Sequence, residues 1–201
     1  MHICCLDLEG ILLPEIWIEV AKRFRVEALK LTTRDVPDYD QLMRYRLRIL
    51  RKEKIRLVDI QRVIARMQPL PGAAAFLEKL RDRGPVVILS DTFYEFSLPA
   101  MKKLGRPALL CNWLKTDRRG YISGYVLRQK NGKRHAVEAF KKIGFKVKAV
   151  GDSYNDLAML TAAHQGILFN PPAAIRRSHP NLPVARSYPH LLRLLGSGSS
   201  R

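Results

Sequence analysis

The sequence predicts an α/β fold in which a mostly parallel sheet is covered by helices on both faces. Three short apolar runs, at residues 3–6, 86–89 and 147–150, are each followed by polar side chains and then by a helical pattern. In an open α/β sheet, ligands bind outside the carboxyl ends of the strands. We therefore expect the polar residues that follow these runs to meet in one pocket.

The segment after the first strand predicts helices alone. Pro14 suits the first turn of a helix. The apolar face of that helix follows at Trp17, Val20, Ala21 and Phe24. A turn comes next, with Thr32, Thr33, Asp35 and Pro37. Asp38 is of a type that caps helices, and further helices are expected over 39–52 and 57–67. Residues 14–70 are thus predicted to form a small helical cap inserted after the first strand.

Beyond Pro71 and Gly72, strand and helix patterns alternate. The expected elements are a helix after Gly72, a strand at 86–89, a helix at 94–104, a hairpin of 109–115 with 121–127, a helix at 133–143, a strand at 147–150, a helix at 155–163 and a strand at 166–169. This alternation is typical of a Rossmann-like sheet. Residues 1–13 and 71–195 are expected to form the core domain, with a flexible tail at 196–201.

Chain length and composition limit the class of protein. The 201 residues are 47% hydrophobic, which suffices for one packed domain with an insertion. No apolar run reaches the ~18 residues that span a bilayer, and the chain begins with a strand pattern rather than a signal segment. Cys4, Cys5 and Cys111 are predicted to be reduced, structural thiols. We therefore expect a cytoplasmic location and no membrane partner.

The formal net charge of +18 has two interpretations. A basic surface attracts anions, either phosphorylated metabolites or nucleic acid. Alternatively, the charge is spread over solvated helix faces, as in the segment 44–56, where basic residues alternate with apolar ones at helical spacing. We favour the second interpretation, because neither a stacking aromatic motif nor an Arg-rich tail accompanies the charge, and we expect no nucleic-acid partner.

Asp7 and Glu9 follow the first predicted strand, and Gly10 allows a tight turn after them. A carboxylate can attack phosphorus and divide a difficult hydrolysis into two easier displacements. The second acid can protonate the leaving alkoxide and then take a proton from water. An Asp-x-Glu pair of this kind is also common in ordinary turns and helix caps.

The next two strand ends carry phosphate-binding and cation-binding groups. Ser90 offers a hydroxyl and a backbone N–H to phosphate oxygens, while Asp91 and Thr92 are expected to cap the following helix. Gly151 permits close backbone approach after the third strand, and Asp152 is placed to bind a hard cation such as Mg²⁺. Two further residues, Asn155 and Asp156, are expected to begin a helix beneath the site.

A lysine near the transferred phosphoryl group would neutralise charge in the transition state. The segment 130–134 supplies three candidates, Lys130, Lys133 and Arg134. The residue pattern alone does not choose among them, and a solvated basic turn explains the segment equally well.

In order and spacing, these pieces resemble the four motifs of the haloacid-dehalogenase-like phosphatases. The segment 7–10 matches the first motif, Ser90 the second, Lys133 the third and the segment 151–156 the fourth. The helical stretch 14–70 resembles the cap that this family inserts between its first and second motifs.

The resemblance implies a role for each of these residues. Asp7 would be the nucleophile and Glu9 the acid and base. Mg²⁺ would be held by Asp7, Asp152 and the main-chain carbonyl of Glu9. The residues that would bind phosphate or support the site are Ser90, Asp91, Lys133, Asn155 and Asp156.

More narrowly, the chain resembles phosphoserine phosphatases of the ThrH type from residue 1 to about 195, including the segments 14–17, 32–35, 47–50, 89–96 and 127–130. This resemblance implies that Glu15 meets the amino group of phosphoserine and that Arg46 meets its carboxylate, for which Arg48 is a close competitor. An Arg–carboxylate fork fits that task in geometry. The oligomeric state is left open between monomer and homodimer.

Three residues depart from ordinary phosphoserine phosphatases, as they do in the ThrH type. Glu9 replaces an Asp, Gly10 replaces a hydroxyl residue, and Asp91-Thr92 stands where paired glycines are usual. If these changes alter the exclusion of water, the alcohol homoserine could compete for the phosphoryl group. Two alternatives stay open: another small phosphomonoester as substrate, and nucleic-acid binding on a degenerate phosphatase fold.

Overall fold

A computed structural model describes residues 1–32, 35–36 and 38–196 and shows the predicted α/β class. Thr33, Arg34 and Pro37 of the expected turn, and 197–201 of the expected tail, lie outside the described residues. Within the described part, one sheet has the strand order β4-β3-β2-β1-β5-β6-β7. Its strands are β1 (His2–Leu6), β2 (Val86–Phe93), β3 (Ala108–Thr116), β4 (Ile122–Val126), β5 (Lys146–Gly151), β6 (Gln165–Phe169) and β7 (Val184–Ala185). All neighbours pair in parallel except β3 and β4, which form the predicted antiparallel hairpin.

The central strand β1 is buried on both faces, as a parallel sheet requires. Cys4 and Leu6 pack into one apolar cluster, whereas Ile3 and Cys5 pack into the cluster on the opposite face. This alternation follows from the two-residue period of a strand. All three cysteines are buried and free, and burial raises the pKa of the Cys5 thiol to about 12, in keeping with structural thiols.

Helices cover the sheet and fill the insertion between β1 and β2. They are α1 (Ile16–Phe24), α2 (Tyr39–Lys52), α3 (Leu57–Arg66), α4 (Ala73–Arg81), α5 (Tyr94–Met101), α6 (Gly132–Lys142), α7 (Leu157–Ala162), α8 (Ala173–Ser178) and α9 (Tyr188–Gly196). The predicted N-cap of α2 is confirmed, because the Asp38 carboxylate accepts a hydrogen bond of 2.8 Å from the Gln41 N–H. Within the described residues, every helix is too short or too polar to cross a bilayer.

The hairpin β3–β4 contacts the helical insertion directly. The Leu57 N–H donates to the Gly120 carbonyl at 3.0 Å, and Arg51 pairs with Asp117 at 2.7 Å. The rings of Tyr39 and Tyr125 meet edge to face with centroids 5.8 Å apart. These contacts attach both ends of α2 and the start of α3 to the hairpin.

The structure corrects the prediction that Asp91 and Thr92 cap a helix. β2 continues through Phe93, which is itself the N-cap of α5 and makes no side-chain capping bond. Thr92 is buried, and the Asp91 carboxylate turns towards Lys133 instead. The capping interpretation was wrong because strand pairing with β3, which joins Phe93 to Asn112, extends the strand past its apolar run.

Other boundaries differ by small amounts. α1 begins at Ile16 rather than at Pro14, and α5 ends at Met101, after which residues 102–104 form a 3-10 turn. Residues 154–156 also form a 3-10 turn, so that α7 begins one residue after Asp156. The elements α8, β7 and α9 were not predicted.

Gly166 packs so closely on α7 that a side chain would be destabilising. A Cβ at this position would lie 2.4 Å from the Leu160 carbonyl oxygen, whereas a Cβ at Gly124 would meet its neighbours at 3.9 Å or more. We expect Gly166→Ala to lower the free energy of unfolding by roughly 1–3 kcal/mol, because α7 must shift away from β6. The matched change Gly124→Ala should alter it by less than about 0.5 kcal/mol. Urea denaturation measures both, and equal midpoints for the two variants would contradict this packing argument.

Candidate active site

Asp7 lies at the carboxyl end of β1, where the neighbouring strand holds its backbone. Its N–H donates to the Val150 carbonyl at 2.9 Å, and its side chain is almost fully buried. The carboxylate oxygen Oδ1 accepts a hydrogen bond of 2.8 Å from the Leu8 N–H. Because Oδ1 is held in this way, Oδ2 is the oxygen that can meet a phosphorus atom or a cation.

Gly10 brings the first loop against the carboxylate of Asp152. Its φ is +77°, which favours glycine, and a Cβ there would lie 2.5 Å from Oδ2 of Asp152. The tight turn expected at Gly10 therefore also brings the backbone close to Asp152. Any side chain at residue 10 would displace the Asp152 carboxylate.

Asp156 organises the loop after β5 from a fully buried position. Its Oδ2 accepts hydrogen bonds from the N–H groups of Asp152 and Ser153, at 3.0 and 3.1 Å. Its Oδ1 accepts one from Lys133 at 2.8 Å. Gly151 makes this arrangement possible, because a Cβ there would lie 2.3 Å from the Asp156 Cβ.

Lys133 is the candidate lysine that lies among the acids. Its Nζ is 2.9 Å from Oδ1 of Asp7, 2.8 Å from Oδ1 of Asp156 and 3.3 Å from Oδ2 of Asp91. Burial disfavours the charged ammonium, but the three carboxylates outweigh it and raise the pKa of Lys133 well above its usual value. The two alternatives lie elsewhere: Lys130 is exposed and Arg134 pairs with Glu138.

Asp7, Asp152 and Asp156 can together hold a metal ion. One oxygen from each lies within 4.8 Å of the other two. Burial and the Asp156 charge raise the pKa of Asp7 well above its usual value although Lys133 opposes this, and burial, Asp156 and Glu15 raise the pKa of Asp152 to about 7. Carboxylates crowded in this way suit a hard divalent cation. Because both Asp156 oxygens already accept hydrogen bonds, Asp7 and Asp152 are the better placed ligands.

Glu9 stands on the other side of the first loop. Its Oε2 accepts a hydrogen bond of 2.7 Å from the Ile16 N–H. Burial and the neighbouring Glu15 carboxylate raise the pKa of Glu9 to about 8, against the opposing effects of the Ile16 N–H and Arg46. A carboxyl group that is mostly protonated at neutral pH can donate a proton in catalysis.

Arg46 is buried in the helical insertion with part of its guanidinium free. The group lies 4.4 Å above the Trp17 ring and donates to the Leu31 carbonyl at 2.8 Å. Its Nε is buried and meets no hydrogen-bond acceptor within the described residues. Arg48, in contrast, is exposed. An unpaired buried donor is costly, which favours Arg46 over Arg48 as the partner of a bound anion.

Ser90, Asp91 and Asn155 complete the edge of the site. The Ser90 hydroxyl oxygen accepts from the Thr92 N–H at 3.2 Å, and the Asn155 amide donates to Oδ2 of Asp91 at 2.9 Å. Tyr39, which was not predicted as a site residue, also lies here, and its hydroxyl donates to the Asp91 carbonyl at 3.4 Å. The first residue of a helix carries no sequence signal for such a contact.

The chain is similar to known hydrolases and phosphatases. The family model of the haloacid dehalogenase-like hydrolases matches residues 1–164. The chain is 54% identical over its whole length to phosphoserine phosphatase ThrH of Pseudomonas aeruginosa, of which it covers 98%. It is 50% identical over its whole length to a phosphoserine phosphatase of Pseudomonas syringae pv. tomato, of which it covers 85%.

Solved structures show the same fold at lower identity. A phosphoserine phosphatase in its apo form has a TM-score of 0.77 at 23% identity, with 98% of each chain covered. A substrate-bound phosphoserine phosphatase complex has a TM-score of 0.75 at 21% identity, covering 96% of this chain and 97% of the other. Together with the family model, these similarities show that the chain belongs to the haloacid dehalogenase-like hydrolases.

Proposed function

We propose that this enzyme is a Mg²⁺-dependent phosphoserine phosphatase that forms an aspartyl phosphate on Asp7. The observation that carries the proposal is the grouping of Asp7, Lys133 and Asp152 at one edge of the sheet, in a chain 54% identical to a phosphoserine phosphatase over its full length. Bound Mg²⁺ would supply the positive charge that allows Asp7 and Asp152 to be ionised together beside a phosphoryl group.

In the first step, Oδ2 of Asp7 attacks the phosphorus of phosphoserine. The new bond joins this oxygen to phosphorus, while the bond from phosphorus to the serine oxygen breaks. Glu9 gives its proton to the leaving alkoxide, for which a pKa of about 8 is well suited. Lys133 and Ser90 hold the phosphoryl oxygens as charge develops on them.

In the second step, water attacks the phosphorus of the aspartyl phosphate. Glu9, now ionised, takes a proton from this water, and the bond between phosphorus and Asp7 breaks. Inorganic phosphate leaves, with both carboxyl groups in their starting states. Asp156 takes no direct part, since its oxygens hold Lys133 and the loop that carries Asp152.

The amino-acid part of the substrate would lie between the first loop and the insertion. Glu15 would accept the ammonium group, and Arg46 would bind the carboxylate with donors that include its unpaired Nε. We propose that the helices of residues 14–70 act as a cap over the core of residues 1–13 and 71–195. Closure of such a cap would exclude water from the phosphoryl group.

An alcohol can replace water in the second step. Homoserine carries the same amino and carboxylate groups as serine, so that Glu15 and Arg46 could hold it with its hydroxyl near Asp7. Glu9 would take the proton from that hydroxyl as it does from water. The proposal therefore includes phosphotransfer to homoserine as a second reaction.

The proposed function predicts that phosphate release from phosphoserine needs both Mg²⁺ and Asp7. We expect Asp7→Asn to lower kcat by more than about a thousandfold, because the amide cannot serve as the nucleophile. Chelation of the metal should abolish the activity of the parent, and added Mg²⁺ should restore it. The measurement is phosphate release with phosphoserine alone and with homoserine present, where phosphohomoserine is sought as a second product. Full activity of Asp7→Asn would contradict the proposal, whereas absence of phosphohomoserine would remove the transfer reaction alone.

Glu15 is predicted to control the alkaline limb of the pH profile. Glu9 acts first in its protonated form. We therefore expect kcat/KM to be at its maximum at pH values well below about 8 and to decrease as the pH rises through that value. The change Glu15→Gln removes a negative charge that raises this pKa, and should move the limb down by roughly one pH unit. Glu19→Gln removes the same charge from an exposed pair with Lys22 and should leave the limb in place. An unchanged or upward-shifted limb in Glu15→Gln would contradict the role of Glu15.

Arg46 rather than Arg48 is predicted to recognise the substrate carboxylate. Arg46→Lys keeps the charge but loses the fork, so kcat/KM for phosphoserine should fall roughly tenfold to a hundredfold. Arg48→Lys should change it by less than about twofold, because Arg48 is exposed. With p-nitrophenyl phosphate, which has no carboxylate, both variants should match the parent. Loss of activity on both substrates in Arg46→Lys would indicate a structural role instead.

A further inference from the structure

A carboxylate that the proposed reaction does not use lies beside the phosphate-binding lysine. Oδ2 of Asp91 is 3.3 Å from Nζ of Lys133, and its side chain is 46% exposed at the open side of the site. A phosphoryl group bound by Lys133 and Ser90 must approach this carboxylate. The phosphoryl group and the Asp91 carboxylate would then compete for one ammonium group. Because the carboxylate is fixed to the chain, this competition weakens the binding of the phosphoryl group.

The position of Asp91 is fixed from several directions. Its main-chain carbonyl accepts hydrogen bonds from the Asn112 amide at 3.0 Å and from the Tyr39 hydroxyl at 3.4 Å. Its carboxylate accepts a third from Asn155 at 2.9 Å. Since Asn112 in turn accepts from the Arg128 N–H at 3.0 Å, the backbone around Asp91 is anchored to β3. The carboxylate is therefore held in place and is not free to turn away from an incoming anion.

The balance of charge in the site is unfavourable to a free anion. Among the described residues, the carboxylates of Asp7, Asp91 and Asp156 contact the Lys133 ammonium, and the Asp152 carboxylate lies beside those of Asp7 and Asp156. One divalent cation would leave this group with a net negative charge, whereas without Asp91 it would be neutral. Burial works to raise the pKa of Asp91, but Lys133 and Asn155 hold it below its usual value, so the carboxylate is ionised at neutral pH.

We propose that Asp91 is a fixed internal anion that weakens the retention of inorganic phosphate and so speeds its release. The inference rests on the proposed function, since it requires a phosphoryl group on Lys133. A phosphorylated amino acid has two additional points of attachment, at Glu15 and Arg46, which offset the repulsion. Inorganic phosphate has neither, and Asp91 therefore acts most strongly on the occupancy of the product.

The test compares Asp91→Asn with the parent and with Asp82→Asn. Asparagine is almost isosteric and can still accept the Asn155 hydrogen bond. Asp82 ends α4, before β2 begins and thus away from the carboxyl edge of the sheet, and its substitution removes the same charge. With Mg²⁺ present, we expect inorganic phosphate to inhibit Asp91→Asn at about tenfold lower concentration than the parent. The inhibition constant for serine in Asp91→Asn should stay within about twofold of the parent value. In Asp82→Asn, the inhibition constants for phosphate and for serine should both stay within that range.

Calorimetric titration with inorganic phosphate gives the same comparison without turnover, so the test holds even if Asp91→Asn is inactive. If Asp91→Asn does not fold, as judged by its thermal transition, Asp91→Ser replaces it with the same expected direction. Phosphate affinity that is unchanged or weaker in the folded variant would overturn the inference. If that result is found while the parent hydrolyses phosphoserine, only this inference fails and the proposed function stands. If the parent is inactive on phosphoserine, the proposed function itself fails.

Discussion

The ammonium group of Lys133 is the contact on which the site depends. It reaches acids from three separate strand segments: Asp7 after β1, Asp91 within β2 and Asp156 after β5. Because β2 and β5 flank β1 in parallel, their carboxyl ends lie side by side, and one lysine on α6 can span them. Without that positive charge, three carboxylates in a mostly buried site would repel one another, and their burial would favour protonation over the ionised state that chemistry needs.

One ammonium does not balance the acids that surround it. Burial first, and the neighbouring Asp156 carboxylate second, raise the pKa of both Asp7 and Asp152, and a divalent cation is the simplest group that would supply the missing positive charge. The helical insertion adds Glu15 and Arg46 to the site, near Glu9 of the first loop. Burial and the Glu15 carboxylate raise the pKa of Glu9. The Nε of the buried Arg46 has no hydrogen-bond acceptor within the described residues. In the proposed function, the group around Lys133 acts on the phosphoryl group, while Glu15 and Arg46 bind the amino-acid part of the substrate.

Much of the fold could be predicted from local chemistry. The Asp38 cap, the extent of α2 and the β3–β4 hairpin depend on neighbouring residues, and the structure has them as expected. The course of β2 past Ser90 could not be predicted, because pairing with β3 and not local propensity extends it. The strand β7 was missed for a similar reason, since this two-residue strand exists only through its pairing with β6. The choice of Lys133 came from resemblance alone, and the environment of Tyr39 and Asp91 came only from the structure.

Covalent capture of phosphate by Asp7 is the central claim, and trapping the intermediate tests it most directly. Phosphoserine carrying a labelled phosphoryl group would be mixed with the enzyme and Mg²⁺, quenched in acid during turnover, and the peptides mapped by mass spectrometry. Label on the peptide of residues around Asp7, as an acid-stable and base-labile acyl phosphate, is the predicted result. Turnover with label on Ser90, or with no labelled peptide at any time before substrate is exhausted, would contradict it.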